Sequence, residues 1–152
     1  MTGMKCRILP YAAADGPSNM ALDEALLAAA STGRPAAYLR CYGWSVPTMS
    51  LGYFQRLAEI RADPRWQAVP VVRRLTGGGA IWHDHEVTYA LAIPASHPQA
   101  RPNTALYRAV HAAIAAVLAD RGVAAGRRGE GAPRGSAGRN RQLLCFTDWD
   151  PE

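Results

Sequence analysis

Apolar residues recur at helical spacing in two stretches of the chain and at strand-like spacing in four shorter ones. Across residues 18–30, Met20, Leu22, Leu26 and Leu27 form one face, Ser18 or Asn19 can cap the start, and Gly33 can end the turn, which predicts a helix. The runs 37–42, 48–54, 69–75 and 87–93 are rich in β-branched and aromatic residues and are separated by Gly or Pro, which predicts strands. Helical spacing returns over 103–120, where Leu106, Val110, Ile114, Val117 and Leu118 share a face and Gly122 lies beyond the end. Residues 126–141 then turn to Gly, Arg, Ser and Pro with no apolar period, the pattern of a long mobile loop. Leu143, Leu144, Cys145 and Phe146 form an apolar run that should re-enter the fold as a strand or a buried turn. The expected class is α+β, with helices flanking a sheet.

Composition narrows the picture. A chain of 152 residues with 49% hydrophobic and 19% charged positions can bury one core, so a single domain is expected. Its most apolar stretches, 21–30 and 109–119, are interrupted by Asp23, Glu24 and His111 and fall short of the roughly 20 residues of a membrane span. Residues 1–11 carry Lys5 and Arg7 but no apolar core ahead of a small-residue cleavage site, so a cytoplasmic location is expected. Cys6, Cys41 and Cys145 are odd in number with no close pair, which argues against a disulfide framework or a zinc site; a special cysteine would act alone.

The net charge of +5 suggests acidic partners. Arg127, Arg128, Arg134, Arg139 and Arg141 form a basic loop that could steer an acidic protein, although a solvated loop is the simpler reading. Nucleic acid ranks last, because no aromatic residues interleave with these arginines.

The chemistry concentrates in the run Arg73-Arg74-Leu75-Thr76-Gly77-Gly78-Gly79-Ala80-Ile81-Trp82-His83-Asp84. Three glycines after a strand let backbone approach a ligand closely, and two arginines supply cationic forks, so the run suits an anion or carbonyl cradle. The same residues resemble the signature of the lipoate–protein ligase, octanoyltransferase and biotin–protein ligase superfamily. Residues 19–26, 40–44 and 50–55 look like the family's first helix and next two strands, in the family's order. The resemblance implies a mixed sheet flanked by helices, with residues 1–152 as the N-terminal part of one catalytic domain. It also implies that Arg74, Gly77, Gly78 and Gly79 line the pocket for the acyl carbonyl, that His83 sits at its edge, and that Gly52 and Tyr53 face it. Asp84 and Glu86 read first as structural acids beside a strand start. Trp82 is the tryptophan best placed in sequence to line an acyl tunnel.

Two features are similar to the thiol-dependent octanoyltransferase branch. The run Asp84-His85-Glu86-Val87-Thr88-Tyr89 resembles that branch's Asp-x-Glu-Leu-Thr-Tyr, and Leu144-Cys145-Phe146 stands where its nucleophile precedes a Phe. A Cys145 thiolate could take octanoate from octanoyl-acyl carrier protein as a thioester and yield it to a lysine of a lipoyl-domain protein, with no cofactor. Cys6 and Cys41 read as ordinary small apolar residues. One departure stands out: the family's Gly-x-Lys motif is missing, and Lys5 is the sole lysine of the chain. A chain short of its closing strand and its lysine is expected, with an exposed sheet edge near residues 143–146. The alternatives are an ATP- and Mg-dependent lipoate–protein ligase and a non-catalytic acyl- or carrier-binding module.

Overall fold

The computed structural model describes residues 4–32, 36–101 and 103–125. These fall into two compact units, one up to Ile93 and one from Pro94. The first holds strands β1 (Lys5–Ile8) and β2 (Ala12–Ala14), helix α1 (Gly16–Ser31), β3 (Ala36–Trp44), β4 (Thr48–Leu51), α2 (Leu57–Arg61), β5 (Val71–Arg73), β6 (Ile81–His83) and β7 (Thr88–Ala92). The second is built on α3 (Asn103–Ala119). The α+β class holds, with strands in mixed directions, and they form two sheets where the sequence suggested one.

In the first sheet β3 is central. Strands β1 and β2 run parallel to it along one edge, in tandem, and β7 runs antiparallel along the other. Pro10 lies between β1 and β2; it has no N–H to give a ladder and so divides what would be one long edge strand. Helix α1 makes the crossover from β2 to β3. It starts earlier than predicted: Asp15, not Ser18 or Asn19, caps it by accepting from the Ser18 amide at 2.9 Å, with a proline in the first turn. That hydrogen bond holds the Asp15 carboxyl below the ordinary carboxylate range.

The buried face of α1 also differs from the predicted one. Leu22 and Leu27 are exposed, and Gly16, Asn19, Leu26 and Ala30 face inward at helical spacing, with half-buried Asp23 in the same row. The polar members are satisfied across the sheet. Arg40 donates from Nε to Asp23 Oδ1 at 2.8 Å and from Nη2 to the Asn19 carbonyl at 2.9 Å. Tyr42 Oη donates to Asp23 Oδ2 at 3.0 Å, and Asn19 Nδ2 donates to the carbonyls of Ala14 and Gly43. Burial and the Asp23 charge push the Tyr42 phenol well above its usual pKa. Leu26 and Ala30 complete the contact by packing on Ala92, Leu9 and Tyr38.

The second sheet is smaller, with β4 between parallel β5 and antiparallel β6. Met49, Leu51, Ile60 and Ala80 form its core, with Trp66, Val69, Val71 and Trp82 packed around them. Trp82 is half-buried and packs against this core, its ring 5.2 Å from that of Trp66. In the second unit, Leu106, Val110 and Leu118 of α3 are half-buried, whereas Ile114 and Val117 are exposed. Gly122 follows the helix at φ 77°, and the Val123 amide returns to the Leu118 carbonyl, a glycine-closed helix end. The predicted loop 126–141 and the apolar run 143–146 lie outside the described residues.

Candidate functional site

The topology of the second sheet fixes where the glycine loop must run. Strand β5 lies on one side of β4 and β6 on the other, so residues 74–80 have to cross over the end of β4. That end is Leu51, followed by Gly52. A Cβ placed on Gly52 would lie 2.0 Å from the Gly78 carbonyl oxygen, so the loop rests directly on the strand end and a side chain there is excluded. Gly78 itself has φ 97°, a backbone region that favours glycine. Gly77 differs: a Cβ there meets nothing within 4 Å, and both Gly77 and Gly78 are exposed.

The two arginines hold this crossing together. Arg73 Nη1 points at the carbonyls of Gly52, Tyr53 and Gln55 at 3.0, 2.9 and 2.7 Å and so clasps the segment after β4. Arg74 Nη1 donates to the Ser50 carbonyl at 2.7 Å and to Ser50 Oγ at 2.5 Å, while Nη2 donates to the Gly79 carbonyl at 2.7 Å and more loosely to that of Gly77 at 3.4 Å. Both guanidinium forks thus grip backbone carbonyls. The Tyr53 amide donates to the Thr76 carbonyl at 2.9 Å, joining the two loops. Tyr53 and Phe54 stand exposed beside them, their rings edge to face at 5.0 Å.

Beside the loop lies a chain of polar groups that the sequence reading did not assemble, buried at Ser50 and His83 and open to solvent at Glu86. Ser50 on β4 and His83 on β6 are diagonal neighbours on one face, and Ser50 Oγ lies 2.6 Å from His83 Nε2. His83 Nδ1 lies 2.5 Å from Glu86 Oε1, which also accepts from Thr88 Oγ1 at 2.8 Å. Trp44 Nε1 donates to that same Thr88 oxygen at 2.9 Å, and the Trp44 ring stacks on the imidazole at 3.9 Å and 11°. Arginine offers donors alone, so Ser50 Oγ accepts from Arg74; the Glu86 carboxylate offers acceptors alone, so Nδ1 of the neutral ring carries the hydrogen and Nε2 accepts that of Ser50. Burial lowers the His83 pKa from 6.5; the Glu86 carboxylate opposes this and the nearby Arg74 cation reinforces it. The ring is neutral at pH 7.

Of the residues predicted for the site, Arg74, Gly77, Gly78, Gly79, Gly52 and Tyr53 converge on the strand crossing. His83 joins them from beneath through Ser50, only 4% exposed and with both ring nitrogens engaged. Cys145 lies outside the described residues. Cys6 and Cys41 are exposed, contrary to the buried apolar role expected of them, since both faces of β1 are open and Cys41 takes an outward position on β3. Among the described residues no group of three or more His, Cys, Asp or Glu could hold a metal ion, and no helix is long and apolar enough to cross a membrane.

The model of the lipoyl protein ligase A/B catalytic domain matches residues 15–141, a span that contains this whole arrangement. The chain belongs to that family. It is similar to the octanoyltransferase LipM of Moorella thermoacetica, 41% identical over 133 residues that cover 81% of this chain and 48% of that one. It is 48% identical over 82 residues to the LipM of Staphylococcus aureus, covering 53% of this chain and 30% of the relative. The chain thus spans about half or less of the length of these relatives. Among solved structures it is similar to a bi-partite lipoate protein ligase of Thermoplasma acidophilum, with a TM-score of 0.60 and 26% identity over 84% of this chain and 49% of that one. It is also similar to lipoate-protein ligase A bound with ATP, with a TM-score of 0.59 and 25% identity over 80% of this chain and 49% of that one.

Proposed function

We propose that this chain carries the acyl-binding part of an octanoyltransferase that works by thioester exchange. The carrying observation is the glycine loop: strapped over the end of β4 by Arg74 and set beside exposed Tyr53 and Phe54, it offers backbone to a carbonyl and aromatic surface to an alkyl chain, in a sequence whose curated relatives are LipM octanoyltransferases. Gly77, Gly78 and Gly79 receive the acyl carbonyl, Gly52 and Tyr53 border it, and Arg74 fixes the loop around it. The Cys145 thiolate attacks the thioester carbon of octanoyl-acyl carrier protein; a new C–S bond forms, the carrier's C–S bond breaks, and the carrier leaves as its thiolate, which takes a proton from water. A lysine amine of a lipoyl-domain protein then attacks the Cys145 thioester, forming the amide and releasing the thiol. The exchange is close to balanced and the amide step is downhill, so no cofactor is required. The acidic carrier and acceptor suit the basic chain, and neither nucleic acid nor a membrane takes part in a reaction placed in the cytoplasm.

The intact mass of the protein after incubation with octanoyl-acyl carrier protein tests this reading. A gain of one octanoyl group in the wild type, absent from Cys145→Ser, is the expected result; an adduct that persists in Cys145→Ser overturns the mechanism. A second reading, ATP-dependent lipoate ligation with Mg, has in its favour the likeness to the ATP-bound ligase. Lipoate-dependent release of pyrophosphate would favour it. Binding of octanoate or carrier protein without turnover would instead mark a binding module.

A further inference from the structure

The chain of groups beneath the glycine loop has a direction. Arg74 donates to Ser50, Ser50 to His83 and His83 to Glu86, while from the far side Trp44 donates to Thr88 and Thr88 to Glu86, so both arms end on one carboxylate. Ser50 is fully buried and its oxygen is occupied by Arg74, so it is not placed as a nucleophile. With Nε2 bonded to Ser50, Nδ1 bonded to Glu86 and one face covered by Trp44, His83 acts through its neighbours.

We propose that Glu86, His83 and Ser50 form a positioning relay for Arg74, running from solvent-exposed Glu86 to buried Ser50, in which the neutral Nδ1–H form of His83 keeps the Ser50 lone pairs turned to the guanidinium and thereby holds the glycine loop in its acyl-receiving shape. The last clause rests on the acyl reading above; the relay itself does not. Protonation of Nε2 would aim a second donor at Ser50 Oγ, strip the Ser50 hydrogen of its acceptor, and set an imidazolium near the Arg74 cation. The charged groups that face the ring are Glu86, which favours that imidazolium, and Arg74, which opposes it. Asp84 and His85, on the same turn, lie 3.7 Å from each other. Lowering the pH through the His83 titration should therefore loosen Arg74 and, with it, the loop.

Nitrogen-15 spectra of the full chain test the relay with no ligand present. The relay predicts an Nδ1–H ring at neutral pH and Arg74 side-chain signals that move with the His83 titration, below the ordinary histidine value of 6.5. Glu86→Gln keeps an acceptor for Nδ1–H but removes the charge that favours imidazolium, so the His83 midpoint and the Arg74 signals should move together to lower pH, whereas a local Glu86–His83 contact alone would move only the histidine. Ser50→Ala should uncouple the Arg74 signals from His83 and weaken binding of octanoyl-N-acetylcysteamine, an uncharged thioester probe, about tenfold. An Nε2–H ring, or Arg74 signals indifferent to the His83 titration, overturns the proposal. If Ser50→Ala does not fold, Glu86→Gln decides alone, and Arg74 signals that fail to follow the shifted His83 midpoint count against the relay. If the spectra behave as predicted and the probe binds at no pH, the relay stands and the acyl reading fails.

Discussion

Gly52 and Gly77 lie in neighbouring loops and face opposite demands. A methyl group on Gly52 would collide with the Gly78 backbone, so Gly52→Ala should cost on the order of 3 kcal/mol in denaturant unfolding. Gly77→Ala enters open space and should change stability by no more than about 0.5 kcal/mol while weakening the hold on an octanoyl thioester. The His83 ring supplies a second residue-scale prediction. Its folded pKa is depressed below the unfolded 6.5, so the folded state binds fewer protons between the two values. The stability tied to this ring is fully present above the unfolded value and is lost as pH falls through the folded one. Thermal melts from about pH 8 to about pH 5 should show the loss, and His83→Gln should flatten it. Sequence reasoning found His83 through its place after the glycines but left Ser50 unmarked, because a serine in a strand run gives no signal until topology sets it diagonal to a histidine.

Helix α1 shows how an element can be legible in extent and misread in orientation. Its existence followed from spacing, and the Asp-Gly-Pro start was available as a cap signal, but apolar periodicity chose a face containing Leu22 and Leu27 that the fold leaves in water. The inner row carries Asn19 and Asp23, polar residues that are stable there because Arg40 and Tyr42 meet them. Pattern alone cannot see a partner donated from a strand seventeen residues away. Asp23→Ala should therefore strand a buried guanidinium and destabilise the fold by about 3 kcal/mol, with Asp23→Asn costing less; urea unfolding of the two variants checks the order. Strand β6 escaped notice for a simpler reason, since three residues are too few to show alternation.

At the scale of the molecule, the α+β class and the order of most elements were readable, whereas the division into two sheets was not, because it depends on which strands pair. The pairing predicts a gradient of protection: β3 and β4 are central in their sheets and should exchange amide hydrogens slowest, while β1, an edge strand exposed on both faces, should exchange fastest. Hydrogen exchange resolved by residue would test this, and a β1 as protected as β3 would contradict it. The pairing also explains the site, since placing β5 and β6 on opposite sides of β4 is what draws the glycine loop across the strand end. The claim that this crossing receives the acyl carbonyl is open to direct measurement by mapping amide shifts on titration with octanoyl-N-acetylcysteamine. The account predicts the largest shifts at Gly77, Gly78, Gly79, Gly52 and Tyr53; saturable binding that leaves those five amides unmoved and perturbs another surface would contradict it.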